Sequence, residues 1–162
     1  MDSSSQIVLF GAGKSATVLI QYLSKICTQN QWNCTIADID LTAIQLKIGN
    51  SPHLQAKSID ITDENARKLL INQADVVISL LPPVLHHFVA IDCLLLKKHL
   101  LTASYIDDSI KSMEKDIKNA GLLFLCEMGL DPGIDHMSAL KLIHEIQEKG
   151  GNIHSFKSHC VD

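Results

Sequence analysis

One stretch near the start of the chain decides the fold class, and it reads Ile7-Val8-Leu9-Phe10-Gly11-Ala12-Gly13-Lys14-Ser15-Ala16. Its four leading apolar residues predict a short strand that is buried on both faces. Two glycines then predict a tight turn, and the residues that follow predict a helix over 14–28. The helix is indicated by an apolar stripe of Val18, Leu19, Tyr22, Leu23 and Ile26.

The rest of the chain repeats this alternation of short apolar runs and longer segments of helical period. The predicted strands span 6–10, 33–37, 56–59, 75–80, 98–103 and 122–126, with a seventh at 152–158. The predicted helices span 14–28, 41–49, 63–72, 83–96, 107–119 and 134–149. This order predicts right-handed crossovers and a doubly wound parallel sheet with helices on both faces, an α/β fold of the Rossmann type.

Composition excludes several other classes of protein. The chain has 162 residues, 20% of them charged, and a formal net charge of −4, which argues against nucleic acid or an anionic membrane as a partner. No apolar run approaches the roughly 18 residues that a membrane span needs. Five scattered cysteines without a CxxC pair indicate reduced thiols, so we expect a cytoplasmic protein without a zinc site or a disulfide frame.

The glycine turn predicts a dinucleotide site because it lies between the first strand and the first helix. Gly11 permits the tight turn, Gly13 lets the backbone approach a pyrophosphate, and the small Ala16 lets helix and strand pack closely. Lys14 and Ser15 lie at the helix N-terminus, where free amides favour an anion. The Lys-Ser pair lacks the GxxxxGK[ST] spacing of a P-loop, which is therefore rejected.

An acidic residue at the end of the second predicted strand indicates which cofactor binds. Asp38 lies where a carboxylate accepts hydrogen bonds from the adenosine ribose, and its charge would repel a 2′-phosphate. We therefore expect NAD rather than NADP. The alternative is that Asp38 is a solvated residue at a strand end and that the glycines only make a turn.

Residues after the other strands are predicted to line the same site. Asp60-Ile61 follows the third strand, and Leu81-Pro82 follows the fourth, at the point where strand order reverses. Ser104-Tyr105 follows the fifth strand, where two hydroxyls suit a polar substrate, although ordinary turn residues look similar. His86 is either a proton donor of the site or a surface or capping residue.

A metal site is considered and rejected for the segment after the sixth strand. Glu127, Asp131, Asp135 and His136 include the carboxylate and imidazole groups that bind divalent ions. Their spacing matches no recognised set of ligands, so we expect no metal.

The chain resembles the saccharopine dehydrogenase family, of the L-glutamate-forming type. The resemblance rests on the glycine turn, on Asp75-Val76-Val77-Ile78-Ser79-Leu80-Leu81-Pro82, on Thr102-Ala103-Ser104-Tyr105, and above all on Gly129-Leu130-Asp131-Pro132-Gly133-Ile134-Asp135-His136. Gly150-Gly151 and Ser155-Phe156-Lys157-Ser158-His159-Cys160 extend it to nearly the whole chain.

The resemblance implies both a fold and an activity. The family joins a Rossmann domain to a large substrate domain, and it oxidises saccharopine with NAD(P)+ and water to L-glutamate and 2-aminoadipate 6-semialdehyde in lysine metabolism. By motif, Ser104, Tyr105 and Asp131 match substrate-contacting positions. Leu130, Pro132 and Gly133 match the nicotinamide side of the cofactor. The resemblance assigns no acid or base.

The resemblance also implies a division of the chain. Residues 1–128 are predicted to form the dinucleotide-binding domain, and residues 129–162 a hinge, a connecting helix and the first strand of a substrate domain. Where the family continues with Cys-Gly-Gly, this chain has Cys160-Val161-Asp162 and ends, so we expect most of the substrate domain to be missing. Arg67, the single arginine, is predicted on a helix face far from the carboxyl edge of the sheet, although arginine is the preferred partner of saccharopine's three carboxylates.

Several functions fit these observations. The first is the NAD(P)-binding part of an oxidoreductase that acts on a small amino-acid substrate, with little turnover by this chain alone. The alternatives are an NAD(H)-sensing regulatory module without catalysis and a reductase of a related imine or amino-acid adduct. The predicted helix 134–149 carries more apolar residues than one buried face requires, which predicts self-association as a homodimer.

Overall fold

The computed structural model describes residues 4–159, which form six strands and seven α-helices. The strands are β1 Gln6–Phe10, β2 Asn33–Asp38, β3 Leu54–Ser58, β4 Val76–Ser79, β5 His99–Thr102 and β6 Phe124–Leu125. The helices are α1 Ala16–Asn30, α2 Leu41–Ile48, α3 Glu64–Gln73, α4 His86–Leu95, α5 Asp108–Ser112, α6 Glu114–Asn119 and α7 Ile134–Glu148, with one 3-10 turn at Pro83–Leu85. Cys160, Val161 and Asp162 lie outside the described residues.

The strands form one parallel sheet in the order β3-β2-β1-β4-β5-β6. Strand order reverses between β1 and β4, and Phe10 at the end of β1 pairs with both Ala37 and Ser79. Ser79 in turn pairs with Thr102 at the end of β5. The residues that follow these strands therefore share one edge, and the predicted doubly wound α/β fold is confirmed.

Helices cover both faces of the sheet, and the side chains of β1 alternate between the two cores that result. Val8 and Phe10 pack in one core with residues of α3, α4 and α5. Leu9 packs in the other core with residues of α1 and α2. This two-sided burial explains why β1 is apolar at successive positions.

The buried stripe of α1 differs from the predicted one. Its buried residues are Ala16, Ile20, Leu23 and Cys27. Val18 and Tyr22, which the sequence analysis placed in the stripe, are 75% and 57% exposed. The 4-3-4 spacing of the buried residues suits a helix, but two of them are small, so the larger Val18 and Tyr22 outweighed them in the pattern.

Two predicted helices are each divided in the structure. The segment 83–96 begins with the 3-10 turn at Pro83–Leu85 and becomes α-helical at His86. The segment 107–119 is interrupted at Met113, whose φ of −86° and ψ of −2° end α5 and begin α6. Two aspartates are N-caps: Asp63 begins α3 and accepts from the amides of Asn65 and Ala66, and Asp107 begins α5 and accepts from that of Ile110.

The prediction of a seventh strand at 152–158 is wrong. Those residues have no regular secondary structure, and all of them are exposed. A segment becomes a strand only when it pairs with another strand; this one has just two apolar residues, Ile153 and Phe156, and the described residues offer it no partner.

Arg67 does not lie where it was predicted. It is buried, its Nε contacts the Asp92 carboxylate at 2.6 Å, and its Nη1 donates to the carbonyl of Ile61 in the loop after β3. A buried charge needs both a counter-ion and hydrogen-bond partners, and Arg67 finds them in Asp92 and in the carbonyl of Ile61. The guanidinium therefore stabilises the loop after β3, at the carboxyl edge of the sheet. Arg67 is thus already engaged within the fold.

Two further structural findings concern the expected class of protein. The described cysteines, Cys27, Cys34, Cys93 and Cys126, are free thiols. Within residues 4–159, no helix combines the length and the apolar character that a membrane crossing requires.

Candidate functional site

The glycine turn after β1 is packed against the neighbouring strand. Gly11 has a φ of +97°, and a Cβ added there would lie 2.7 Å from the carbonyl oxygen of Leu80. The Gly11 amide donates to the carbonyl of Ala37 at 2.9 Å. Gly13 is different, because a Cβ added there would meet no atom within 4 Å. Gly11 is therefore required by packing, whereas Gly13 leaves open space above the turn.

The N-terminus of α1 faces that open space. Ser15 occupies the N-cap position without a side-chain hydrogen bond to the helix, and the first turn carries no acidic residue. Ala16 is fully buried, so α1 lies close to the sheet, while Lys14 and Ser15 are exposed. Free amides beside a surface without a Cβ fit the pyrophosphate of a dinucleotide.

Two charged side chains hold the glycine turn in place. Asp38 Oδ2 accepts from the amide of Ala12 at 2.6 Å, and Asp38 Oδ1 accepts from the amide of Asp40 at 3.1 Å. Lys47 Nζ, from the last turn of α2, donates to the carbonyls of Ala12 and Gly13. Lys47 was not among the predicted site residues, since a lysine on a short helix gives no local signal of contact with residues 34 and 35 positions away.

A first cavity, of about 290 Å³, opens beside Asp38. Its lining includes Asp38, Asp60, Ile61, Leu81 and Pro82, which are five of the residues predicted to bind the cofactor. The Asp60 carboxylate accepts from the amide and the hydroxyl of Thr62, and these hydrogen bonds lower the pKa of Asp60. The structure thus brings residues from three loops to one cavity.

Two more cavities continue along the same edge of the sheet. The second, of about 450 Å³, is lined by Ser15, Leu81, Ser104 and Leu130 among others. The third, of about 310 Å³, is lined by Ser104, Tyr105, Asp131 and Pro132 among others. Leu81 borders the first and second cavities, and Ser104 borders the second and third.

Tyr105 and Asp131 meet in the third cavity although they lie on different loops. The phenol Oη of Tyr105 donates to Asp131 Oδ1 at 2.7 Å. This hydrogen bond is the main cause that raises the pKa of Tyr105 to about 12, so the phenol stays protonated at neutral pH. The pair therefore presents a neutral donor and a carboxylate side by side.

His86 lies behind these cavities rather than on the surface. It is buried at the start of α4, and its two ring nitrogens contact the hydroxyls of Ser79 and Ser104. Burial lowers the pKa of His86, which favours the neutral imidazole. The surface alternative for His86 is therefore wrong.

The turn between β6 and α7 is built on two glycines. A Cβ on Gly129 would lie 2.8 Å from the carbonyl oxygen of Ala103, and a Cβ on Gly133 would lie 2.3 Å from that of Gly129. Gly133 is buried inside the turn and does not line the three cavities, unlike Leu130 and Pro132. Of the three residues matched to the nicotinamide side, Leu130 therefore lines the second cavity, Pro132 lines the third, and Gly133 belongs to the interior of the turn.

Three of the four residues weighed as metal ligands come together. Asp131, Asp135 and His136 offer ligand atoms within 4.8 Å of one another. Asp131 already accepts from Tyr105, and Asp135 accepts from the amide of Gly133 at 2.9 Å. Acidic groups with partners of this kind do not by themselves indicate an ion.

The fold and the site define a class of protein, namely a dinucleotide-binding Rossmann domain of the kind found in NAD(P)-dependent oxidoreductases. Residues 7–125 match the family model for the saccharopine dehydrogenase NADP binding domain, and residues 129–162 match the model for the saccharopine dehydrogenase C-terminal domain. The chain belongs to the saccharopine dehydrogenase family.

Known proteins with similar sequences support that membership. The chain is 35% identical over 154 residues to the NADP(+), L-glutamate-forming saccharopine dehydrogenase of Saccharomyces cerevisiae, with 95% of this chain and 34% of that protein covered. It is 35% identical over 177 residues to the alpha-aminoadipic semialdehyde synthase of Arabidopsis thaliana, with 99% of this chain and 17% of that protein covered. The chain thus spans about a third of the fungal relative and about a sixth of the plant one.

A solved structure supports the fold as well. The apo saccharopine dehydrogenase of Saccharomyces cerevisiae superposes with a TM-score of 0.78 at 34% identity, over 91% of this chain and 32% of that one. NAD(P) binding follows from the family, but the preference for NAD expected from Asp38 is not confirmed. The matching model and the fungal relatives are described as NADP-dependent, which favours NADP.

We predict that Gly13→Ala separates folding from cofactor binding. The added methyl group meets no protein atom, so the free energy of unfolding should change by less than about 1 kcal/mol. The same methyl group occupies the approach to the pyrophosphate, so affinity for NADH and NADPH should fall about tenfold or more. Fluorescence titration and thermal denaturation measure the two effects.

Gly11→Ala is the contrasting variant, because its methyl group would collide with the backbone of Leu80 and should lower the melting temperature. A stable Gly13→Ala protein with unchanged cofactor affinity would show that the pyrophosphate does not lie over this turn.

Proposed function

We propose that this chain is the NAD(P)-binding part of an oxidoreductase that interconverts saccharopine with L-glutamate and 2-aminoadipate 6-semialdehyde. The observation that carries the proposal is the row of three cavities along one sheet edge, joined at Leu81 and Ser104. A row of this shape suits an extended dinucleotide whose reactive end meets a second molecule. Bound NAD(P) would supply the hydride chemistry.

The residues of the chain divide between the two ligands along this row. Asp38, Asp60 and Ile61 suit the adenosine half, and the turn at Gly13 suits the pyrophosphate. Leu130 and Ser104 border the second cavity, which suits the nicotinamide. Tyr105 and Asp131 suit the substrate, because the Asp131 carboxylate can accept from an amine and the phenol oxygen of Tyr105, whose proton is donated to Asp131, can accept as well.

The same division supports the proposed domain boundary. Residues 1–128 supply the sheet and the first cavity, whereas Leu130, Asp131 and Pro132 from residues 129–162 close the second and third cavities. We propose that the turn at 129–133 is the hinge between the cofactor domain and the substrate domain.

We predict saturable binding of NADH or NADPH by this chain, followed by a change in cofactor fluorescence when saccharopine is added. Tyr105→Phe and Asp131→Asn should weaken the saccharopine response at least about threefold, the lower range for one lost hydrogen bond, without changing cofactor affinity. Tyr22→Phe is the matched control, since Tyr22 is the other tyrosine and is exposed on α1.

Turnover of saccharopine with NAD(P)+ should be far below that of the Saccharomyces cerevisiae enzyme assayed in parallel. Saccharopine carries three carboxylates, and Arg67, the single guanidinium of this chain, is already paired with Asp92. Turnover equal to that enzyme would contradict this expectation, and failure of both reduced cofactors to bind would contradict the proposed function.

The sensing alternative draws no support from the relatives, since those that match are named as dehydrogenases and semialdehyde synthases. The third cavity also argues against it, because a module that only senses NAD(H) needs no wall of substrate-binding groups. A reductase of a related imine or amino-acid adduct shares this site and differs only in which compound elicits the fluorescence response.

The preference between NAD and NADP remains a proposal that rests on Asp38. One oxygen of its carboxylate accepts from the Ala12 amide, and the other accepts from the Asp40 amide. The charge of Asp38 would repel a ribose 2′-phosphate, which favours NAD, while the relatives favour NADP. The two arguments differ in what they describe. The names of the relatives describe other members of the family, whereas Asp38 is a residue of this chain.

We predict that Asp38→Ser combined with Ile39→Arg raises the affinity for NADPH relative to NADH by about tenfold or more, since a repelling charge is replaced and a guanidinium is added. Ile39→Arg alone and Asp38→Ser alone separate the two contributions. Fluorescence titration with both reduced cofactors gives the ratio. An unchanged ratio in the double variant would show that Asp38 does not contact the ribose.

We propose that the exposed apolar surface of α7 joins two copies of this chain. Ile134, Met137, Leu140 and Leu142 are each more than half exposed on that helix, and surfaces of this kind mark association sites. Leu140→Glu should shift the mass measured by light scattering from dimer to monomer, whereas Gln147→Glu on the same helix should not. A wild-type monomer would contradict the proposal.

The cytoplasmic location expected from the sequence stays a prediction.

A further inference from the structure

A buried histidine connects the interior of the sheet to the ligand cavities. Ser79 Oγ lies 2.8 Å from Nδ1 of His86, and Nε2 of His86 lies 2.8 Å from Ser104 Oγ. Ser79 and His86 are 0% and 3% exposed, whereas Ser104 borders the second and third cavities. The three side chains come from the end of β4, the start of α4 and the loop after β5.

Only one ring nitrogen of His86 carries a proton at neutral pH. Burial lowers the pKa of the imidazole, and the nearby Asp107 carboxylate only partly offsets that effect. A neutral imidazole has one N–H donor and one nitrogen acceptor, so the two hydroxyls must play opposite roles.

The burial of Ser79 decides which role each hydroxyl takes. Within residues 4–159 the Ser79 side chain has His86 as its hydrogen-bond partner and no other. A buried hydroxyl that cannot donate its proton is costly, so Ser79 donates to Nδ1. The proton of His86 is then on Nε2, which donates to Ser104 Oγ.

This arrangement fixes the hydroxyl of Ser104. Its oxygen accepts from His86, so its own proton points away from the imidazole, toward the junction of the second and third cavities. The backbone of Ser104 is held as well, because its carbonyl accepts from the amide of Glu127 at 3.0 Å. A serine held in this way offers one proton in one direction.

We propose that His86 is a positioning residue that makes Ser104 a fixed hydrogen-bond donor to a carbonyl or carboxylate oxygen of a bound ligand. The identity of that ligand rests on the proposed function: it is either the nicotinamide carboxamide in the second cavity or a substrate carboxylate in the third. The direction of the hydrogen bonds does not rest on it, because it follows from the protein alone.

The first test uses the ligand-free protein. Nitrogen-15 NMR of histidine-labelled protein reports the tautomer of each imidazole, and His86→Gln assigns the signal. We expect the Nε2–H tautomer, held by Ser79, and a loss of that tautomeric preference in Ser79→Ala. The Nδ1–H tautomer in the wild-type protein would overturn the proposal whether or not a nucleotide binds.

The second test is a double-mutant cycle on cofactor and substrate binding. His86→Phe keeps an aromatic ring of similar size but removes the donor, and it should weaken ligand binding about threefold to tenfold, as expected for one hydrogen bond. The same substitution should have little further effect in the Ser104→Ala protein, because His86 acts through Ser104. His86→Gln, which retains a donor, should restore part of the loss, and His87→Gln is the control at the neighbouring histidine.

The probes separate the two possible ligands. If the carboxamide is the acceptor, Ser104→Ala should weaken NADH but not ADP-ribose, which lacks nicotinamide. If the substrate is the acceptor, Ser104→Ala should leave NADH unchanged and weaken saccharopine binding to the NADH-loaded protein. An equal effect of His86→Phe in both backgrounds, or no effect of Ser104→Ala on either ligand, would overturn the proposal. Failure of the wild-type protein to bind either NADH or NADPH would instead overturn the proposed function.

Discussion

The close approach of two parallel strands at Gly11 is the constraint on which the site depends. A side chain at position 11 would collide with the backbone of Leu80. The turn after β1 can therefore cross the point where strand order reverses only if residue 11 is a glycine. That passage places the N-terminus of α1 beside Leu81 and beside Asp38, whose carboxylate holds the Ala12 amide. The position of the first cavity therefore follows from the order of the strands, and it requires a glycine at position 11.

A second constraint arises where the chain leaves β4. The prolines Pro82 and Pro83 delay the start of α4 by a 3-10 turn, so that His86 becomes its first residue and lies under the loop after β5. Burial outweighs the nearby Asp107 carboxylate and lowers the pKa of His86, and a neutral imidazole can relay a direction of hydrogen bonding from the interior to the surface. Local backbone geometry thereby orients Ser104.

The sequence predicted the sheet, the glycine turn and the edge residues because each depends on spacing along the chain. It did not predict what depends on partners. Residues 152–158 were predicted as a strand, but the part of the chain that the structure describes offers them no neighbour to pair with, and Val18 has the size of a core residue but is exposed to solvent. Lys47 and His86 contact groups that are distant in sequence, and a single chain carries no signal of such contacts.

The turn after β6 shows how structural and chemical demands can be separated within one motif. Gly129 and Gly133 are required by backbone packing, since a Cβ on either would meet a carbonyl oxygen closer than van der Waals contact allows. Packing makes no such demand on Leu130, which is 73% exposed, or on Asp131, which is also exposed and reaches Tyr105 across the cavity. The fold would tolerate other residues at these two positions. Leu130 and Asp131 are therefore the residues of the motif whose identity depends on ligand binding rather than on packing.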